Sequence, residues 1–473
     1  MKLTKLIKKA KLPVGLPETG DFTVRGITCN SGQVKKGFVF IAIKGCSNDG
    51  TKFIDQALKN GAGAIISHLT VPPGISTRLI AAKLAAEFYE NPSAKVRVVG
   101  ITGTNGKTTV SYLLERVLKE ARKNPAVIGT INYRFNKKII ASNNTTPGPT
   151  ELQHMLSRML KGKVTHCIME VSSHALDQER VKGVSFSSAI FTNLTSDHLD
   201  YHKTSANYFK AKAKLFKELD SKSFAVINND DKYARLLKKI CSAKIITYGI
   251  DKASSVEARN IKFHPSSTEF ILKAPKKKVL IKTKLIGKHN VYNILSVIAW
   301  ALSEGIKFSY IKRAIEGFDF VPGRLERVEC RKGFSVFVDY AHTEDALKNI
   351  IRSLRQVSKG RIIVVFGCGG DRDKRKRPKM GRIVTELADY AFVTSDNPRS
   401  EEPEDIAGDI IKGIRKRNYC IILRRKEAIK KSLSLAKSGD IVLIAGKGHE
   451  TYQVIKNKKI HFDDRETVKS CLR

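Results

Sequence analysis

From Gly100 to Thr109 the chain reads Gly-Ile-Thr-Gly-Thr-Asn-Gly-Lys-Thr-Thr, directly after the apolar run Lys95 to Val99 and directly before a helical pattern, Val110 to Lys119. Glycines let backbone N–H groups turn toward an anion, and a helix N-terminus adds the positive end of its dipole. Lys107 supplies a mobile cation, and the Thr108 hydroxyl suits a magnesium ion. The strict phosphate-loop spacing has glycine where this chain has Ile101, so the stretch alone reads equally well as a structural turn. The strand before it and the helix after it favour ATP, cradled by Gly103, Thr104, Asn105, Gly106, Lys107, Thr108 and Thr109.

Magnesium at such a loop needs hard oxygen ligands. Glu170 closes the apolar strand Cys167 to Val171, an unusual place for a surface carboxylate. His198, in Asp197-His198-Leu199-Asp200, is a second candidate, although a histidine among aspartates is commonly only hydrogen-bonded. Downstream, Tyr208 to Phe216 carries Lys210, Lys212 and Lys214, which composition alone assigns to the wet face of an amphipathic helix.

These groups need a scaffold. A chain of 473 residues exceeds one hydrophobic core, and short β-branched runs alternate with helical segments, which predicts an α/β fold with mainly parallel sheets. Three domains are expected: 1–94, with a helix over Arg78 to Glu90 ending at Asn91-Pro92; 95–320, around the loop; and 321–473, from Val321-Pro322-Gly323. In parallel sheets ligands gather at the carboxyl ends of strands. The polar clusters fall there: Glu170 to His174, Thr192-Asn193, Asp339 to His342, Gly367 to Arg372 and Asp396 to Arg399. One large cleft shared by the second and third domains is therefore expected.

Composition narrows the function classes. The net charge of +41 raises the prospect of nucleic acid, yet the basic residues are spread through every region without an aromatic-interleaved stripe. No nucleic-acid partner is expected; the charge is read as solvated surface that also attracts anionic substrates. A P-loop nucleic-acid ATPase remains the rival from another class, discriminated by a response of the ATPase rate to DNA or RNA. No apolar run is long enough for a membrane span, the basic start lacks a signal-peptide core, and the eight cysteines form no CxxC pair. A cytoplasmic monomer is the expectation.

The ordered motifs resemble the Mur ligases and, more distantly, the folylpolyglutamate synthetases. Gly-Thr-Asn-Gly-Lys-Thr is similar to their ATP loop. Asn290 and Asn293 in Gly287-Lys288-His289-Asn290-Val291-Tyr292-Asn293 resemble a motif near adenine, and Arg324, Asp339 and His342 the C-terminal contribution to the nucleotide. The resemblance implies a UDP-binding N-terminal α/β domain, a central ATPase-like domain and a Rossmann-like C-terminal domain. It further implies that Lys212 is carbamylated (N6-carboxylysine) and joins Thr108, Glu170 and His198 around Mg²⁺. Capturing CO₂ requires a neutral amine, so Lys212 should sit where burial or neighbours lower its pKa.

Within the family, the chain resembles the branch that adds meso-diaminopimelate to UDP-N-acetylmuramoyl-L-alanyl-D-glutamate for peptidoglycan synthesis. Thr145, Thr146, Ser172, Gln178 and Arg180 match muramoyl-peptide contacts, and Ser31 a uridine-side contact. Asn30 and Gly32 depart from the usual Asp-Ser-Arg, and Glu344 stands where proline is frequent. Arg399, in Asp396-Asn397-Pro398-Arg399, suits the distal carboxylate that lysine lacks. Arg372, Gly446 and Glu450 match the rest of that pocket, with Glu450 facing the distal ammonium. A lysine-adding relative is the alternative that Arg399 disfavours. Against a folylpolyglutamate synthetase stand Asn48-Asp49-Gly50 and the muramoyl motifs. The implied chemistry is carboxylate activation by ATP to an acyl phosphate, captured by the amine without a protein nucleophile.

Overall fold

Strands that are apolar on both faces are stable only when both faces are covered, and helices provide that cover throughout the computed structural model. It describes residues 1–13, 20–45, 49–456 and 458–472; Cys46 and Asn48 lie outside these. Three successive sheets carry the three-domain α/β fold. The first is a parallel trio, Gly26–Thr28, Phe38–Ala42 and Ala62–Ser67.

The second sheet has eleven strands. Its heart is parallel: Lys244–Gly249, Phe224–Asn228, Phe186–Phe191, Arg97–Thr102, His166–Glu170 and Pro125–Ile128, in that spatial order. Arg97–Thr102, which leads into the glycine loop, lies at its centre with Val98, Val99 and Ile101 fully buried. Helix Lys288–Ser303 covers one face, and its Trp300 is fully buried, donating from Nε1 to Ser188 Oγ at 2.9 Å. Truncating a tryptophan so placed costs about 3–5 kcal/mol.

Both ends of this sheet depart from the parallel pattern. Ser267–Ala274 and Lys277–Thr283 extend one end as an antiparallel meander, Asn132–Phe135 and Lys138–Ala141 the other. Phe270, Leu272 and Ala274 alternate inward with a period of two, which the apolar Ile271 between them masks. The third sheet orders Glu326–Val328, Ser335–Asp339, Ile441–Ala445, Ile362–Phe366, Tyr390–Val393 and Tyr419–Ile421, with only the first strand antiparallel.

Boundaries differ from expectation by a few residues. The helix expected to Glu90 spans Thr77–Phe88, because Glu90 and Asn91 adopt positive φ. The strand expected from Lys95 begins at Arg97, since Lys95 closes a short 3₁₀ turn over Pro92–Ala94. The loop helix begins at Lys107 rather than Val110, with Gly106 at φ 90° as its cap.

Candidate active site

The glycine loop is held by the neighbouring strand end. Asn105 N–H donates to Asn193 Oδ1 at 3.0 Å, Thr104 N–H to Asn193 O at 2.8 Å, and Thr192 Oγ to Asn105 O at 2.7 Å. Gly103 has φ 149° and a Cβ there would strike Thr192 Oγ, so the close approach requires glycine. Lys107 Nζ donates to the carbonyls of Gly103 and Thr104, each at 2.8 Å. Burial lowers the Lys107 pKa, against the opposing pull of Glu170.

Glu170 is 1% exposed, and its carboxylate accepts from Thr108 Oγ at 3.0 Å and from Thr130 Oγ at 2.9 Å. A buried carboxylate facing the loop through a threonine hydroxyl is a hard-oxygen pair. Among the described residues no group of three or more His, Cys, Asp or Glu side chains is arranged to hold a metal ion. The donors fit magnesium, which keeps waters and substrate phosphates in place of a full protein cage. His198 lines the same cleft with φ 54°, and desolvation there lowers its pKa against the opposing pull of Asp197, which favours the neutral imidazole a metal ligand needs.

Helix Ser205–Lys217, capped by Thr204, sorts its lysines by face. Lys210 is exposed and Lys214 pairs with Asp177 at 3.3 Å, whereas Lys212 is 1% exposed. Lys212 Nζ donates to Gly103 O at 2.9 Å and lies 4.5 Å from the Tyr208 ring centroid. Burial, and then the nearby Lys107, hold its pKa well below the usual lysine value. The neutral amine needed for reaction with CO₂ is thereby favoured.

The third domain closes over the loop. Arg324 Nη2 lies 3.4 Å from Thr108 Oγ, and Asn105 Nδ2 donates to Asp345 Oδ2 at 3.2 Å. Asp339 fixes the turn carrying Arg324, accepting from Leu325 N–H and Ala341 N–H at 2.6 Å each. Asn293 Nδ2 donates to Asn290 Oδ1 at 3.1 Å, and both line the cleft with His342. The cleft encloses about 670 Å³ and also includes Thr104 to Thr109, Thr145, Ser172 and Lys212.

A second cleft, of about 450 Å³, adjoins the first, and Asp197, His198, Tyr340, His342 and Thr343 line both. Arg372, Asp396, Asn397, Arg399, Gly446 and Glu450 line it, together with Glu344. Arg399 has φ 55° and is pinned by its backbone, N–H to Val454 O at 3.0 Å, and by Nη1 to Gly370 O at 2.5 Å. Burial and then the neighbouring Arg399 lower the Arg372 pKa, so two guanidiniums crowd one pocket. Such a pair is relieved by an anion.

Other expected residues are placed differently. Thr146 is fully buried; its hydroxyl donates to Glu170 O at 2.9 Å and accepts from Ser172 N–H at 3.1 Å. Arg180 donates to Thr146 O at 3.0 Å and brackets the Gln178 carbonyl. Thr146, Gln178 and Arg180 thus brace the cleft wall but lie outside both linings, as do Gly103 and Pro398. Ser31 is absent from both clefts' linings, and its hydroxyl donates to Gln56 Oε1 at 2.6 Å. Asn30 caps the turn over Ser31–Gln33 by accepting from Gly32 N–H at 3.0 Å, so the departures there keep a formed turn.

Sequence reasoning placed Asn193 and Tyr340 in the strand-end clusters without giving either a role, and it missed Lys447. Asn193 was found from its strand end, but nothing local shows that it braces the glycine loop. Tyr340 sits inside a quoted motif but carries no charge. Lys447 is one of 86 basic residues, without a local signal that it is buried.

Comparisons with known proteins bear on the family and the fold. Residues 23–105 match the description "Mur ligase family, catalytic domain", 101–301 "Mur ligase middle domain" and 323–448 "Mur ligase, glutamate ligase domain". The chain is 43% identical over 486 residues to a Clostridium tetani protein named UDP-N-acetylmuramoyl-L-alanyl-D-glutamate--2,6-diaminopimelate ligase, covering 100% of this chain and 99% of that one. An Aquifex aeolicus protein of the same name is 45% identical over 458 residues, covering 95% and 94%. A solved structure so named superposes with a TM-score of 0.68 at 32% identity, covering 95% of this chain and 94% of that one.

Proposed function

The chain belongs to the Mur ligase family, and from that premise we infer that it joins meso-diaminopimelate to UDP-N-acetylmuramoyl-L-alanyl-D-glutamate at the expense of ATP, a step of peptidoglycan synthesis. The observation that carries the reading is the meeting of two clefts. One holds a phosphate loop with a buried Thr108–Glu170 pair; the other holds Arg372, Arg399 and Glu450, charges complementary to an amino acid with a second carboxylate and a second ammonium.

A carboxylate does not accept an amine at neutral pH. The D-glutamate side-chain carboxylate attacks the γ-phosphorus of ATP, ADP leaves, and an acyl phosphate forms. Lys107, the loop N–H groups and Arg324 stabilise the charge on the phosphoryl oxygens in transit. Thr108, Glu170, His198 and a carbamylated Lys212 would hold magnesium, which would supply further charge neutralisation. The uncharged amine of diaminopimelate then adds to the acyl carbon, the tetrahedral adduct expels phosphate, and an amide remains. Closure of the third domain excludes water from the acyl phosphate, and positioning accounts for most of the rate.

Thr145, Thr146, Ser172, Gln178 and Arg180 are assigned to the muramoyl peptide, and Ser31 to the uridine side. Asn290, Asn293, Asp339 and His342 are assigned to the nucleotide. Arg372, Asp396, Asn397, Pro398, Arg399, Gly446 and Glu450 are assigned to diaminopimelate. The division 1–94, 95–320 and 321–473 is supported by one main sheet falling within each part. No helix among the described residues is long and apolar enough to cross a membrane, and a cytoplasmic monomer is proposed.

Phosphate release from ATP with UDP-N-acetylmuramoyl-L-alanyl-D-glutamate tests the reading, comparing meso-diaminopimelate, L-lysine and no amine, with the tripeptide identified by mass. Turnover with diaminopimelate alone is expected. Preference for lysine would overturn the role of Arg399, and no turnover with either amine would overturn the ligase.

A further inference from the structure

Lys447 lies between Gly446 and Glu450, two positions assigned to the amino-acid pocket, yet its side chain has no exposure to solvent. Its ammonium touches two groups of that pocket, Asn397 Oδ1 at 3.1 Å and Glu450 Oε2 at 3.0 Å, and the Tyr452 ring centroid lies 5.6 Å away. A buried ammonium is tolerated only when paired and hydrogen-bonded, and here the pairing falls on a carboxylate of the cleft itself.

The three side chains close a ring. Asn397 Nδ2 donates to the same Glu450 Oε2 at 2.9 Å, and Asn397 Oδ1 also accepts Val454 N–H at 2.9 Å. Both ends of the Asn397 amide are thereby fixed, so it has a single orientation. Glu450 has one oxygen committed to Lys447 and Asn397, while the residue still lines the cleft. With Oε2 so held, Oε1 is the acceptor left for a ligand.

We propose that Lys447 is a positioning and specificity-determining residue for the amino-acid substrate: it locks Asn397 and presents one oxygen of an already balanced Glu450 to the distal ammonium. The inference rests on the reading of this cleft as the diaminopimelate pocket. Its sphere of action is the amine-binding step; the ATP loop lies in the other cleft and does not depend on it.

The test is steady-state kinetics of the full-length enzyme carrying Lys447→Met, Asn397→Ala or both. Lys447→Met should raise KM for diaminopimelate about tenfold, the loss typical of a hydrogen bond to a charged group. The KM for ATP and kcat at saturating amine should change by less than about threefold. The double variant should be little worse than the worse single one, because both changes break the same ring. Equal losses toward ATP and amine, an unchanged amine KM, or additive effects of the two changes would each overturn the proposal. Where Lys447→Met yields no soluble enzyme, Lys447→Gln is read by the same KM ratio. Failure of the wild-type enzyme to use diaminopimelate would instead strike the proposed function, so the two failures are distinguishable.

Discussion

Thr108 Oγ donates to Glu170 Oε2 across 3.0 Å although the two residues are 62 positions apart in sequence. The parallel pairing of Arg97–Thr102 with His166–Glu170 creates this contact, setting the first residues of the loop helix beside the end of the next strand. The pair is the first place to test the site.

Glu170→Gln preserves shape and removes the charge that would face magnesium. We expect kcat to fall by about a thousandfold or more, on the scale of losing a preorganised electrostatic contact, with the thermal midpoint nearly unchanged. Thr108→Val should behave similarly, and Thr108→Ser should retain most activity. Full activity in Glu170→Gln at saturating magnesium would remove the carboxylate from the site.

Lys212 is expected to carry CO₂. Its burial and depressed pKa favour the neutral amine in the folded enzyme. Carbon-13 NMR of enzyme equilibrated with labelled bicarbonate should show one carbamate resonance that Lys212→Arg abolishes. The same variant should lose at least about a hundredfold in kcat, since a guanidinium forms no stable carbamate. A spectrum without that resonance, with activity intact, would sink the modification.

Much of this arrangement was legible in the sequence, for physical reasons. The loop and the strand-end clusters could be read because a parallel sheet delivers consecutive strand ends to one edge, where polar residues interrupt apolar runs. The roles of Thr146, Gln178 and Arg180 were less legible: their types suit ligand contacts, but their hydrogen bonds are spent on the wall. Lys447 was invisible because burial is a tertiary property, and one lysine among many carries no local sign of it. The antiparallel strand Lys277–Thr283 was hidden by lysines at its outward positions.

Arg399 should discriminate between amines. Its backbone is fixed on Val454, and its guanidinium shares the pocket with Arg372. Arg399→Met should lower kcat/KM for diaminopimelate by about a hundredfold, while the low activity with lysine, which offers no distal carboxylate, stays within about threefold. An equal loss for both amines would assign Arg399 to the loop's integrity rather than to recognition.

His166 predicts how stability varies with pH. Its side chain is 9% exposed, and burial, then Arg97 and Lys123, lower its pKa from 6.5 to about 4. Glu304, at 3.9 Å, is too distant to hydrogen-bond to the ring and is itself paired with Arg97 at 2.7 Å, so it does not restore the charge. Between pH 4 and pH 6.5 the unfolded chain therefore binds the proton that the folded chain refuses. The contribution to stability is fully present above about pH 6.5, declines as pH falls, and is gone near pH 4; it amounts to roughly 3 kcal/mol at most. Urea unfolding of wild type and His166→Gln at pH 7.5, 5.5 and 4.5 isolates it from the carboxylates that also titrate toward acid. The wild-type advantage should shrink steadily across that series, and a difference independent of pH would show that the ring titrates alike in the folded and unfolded chain.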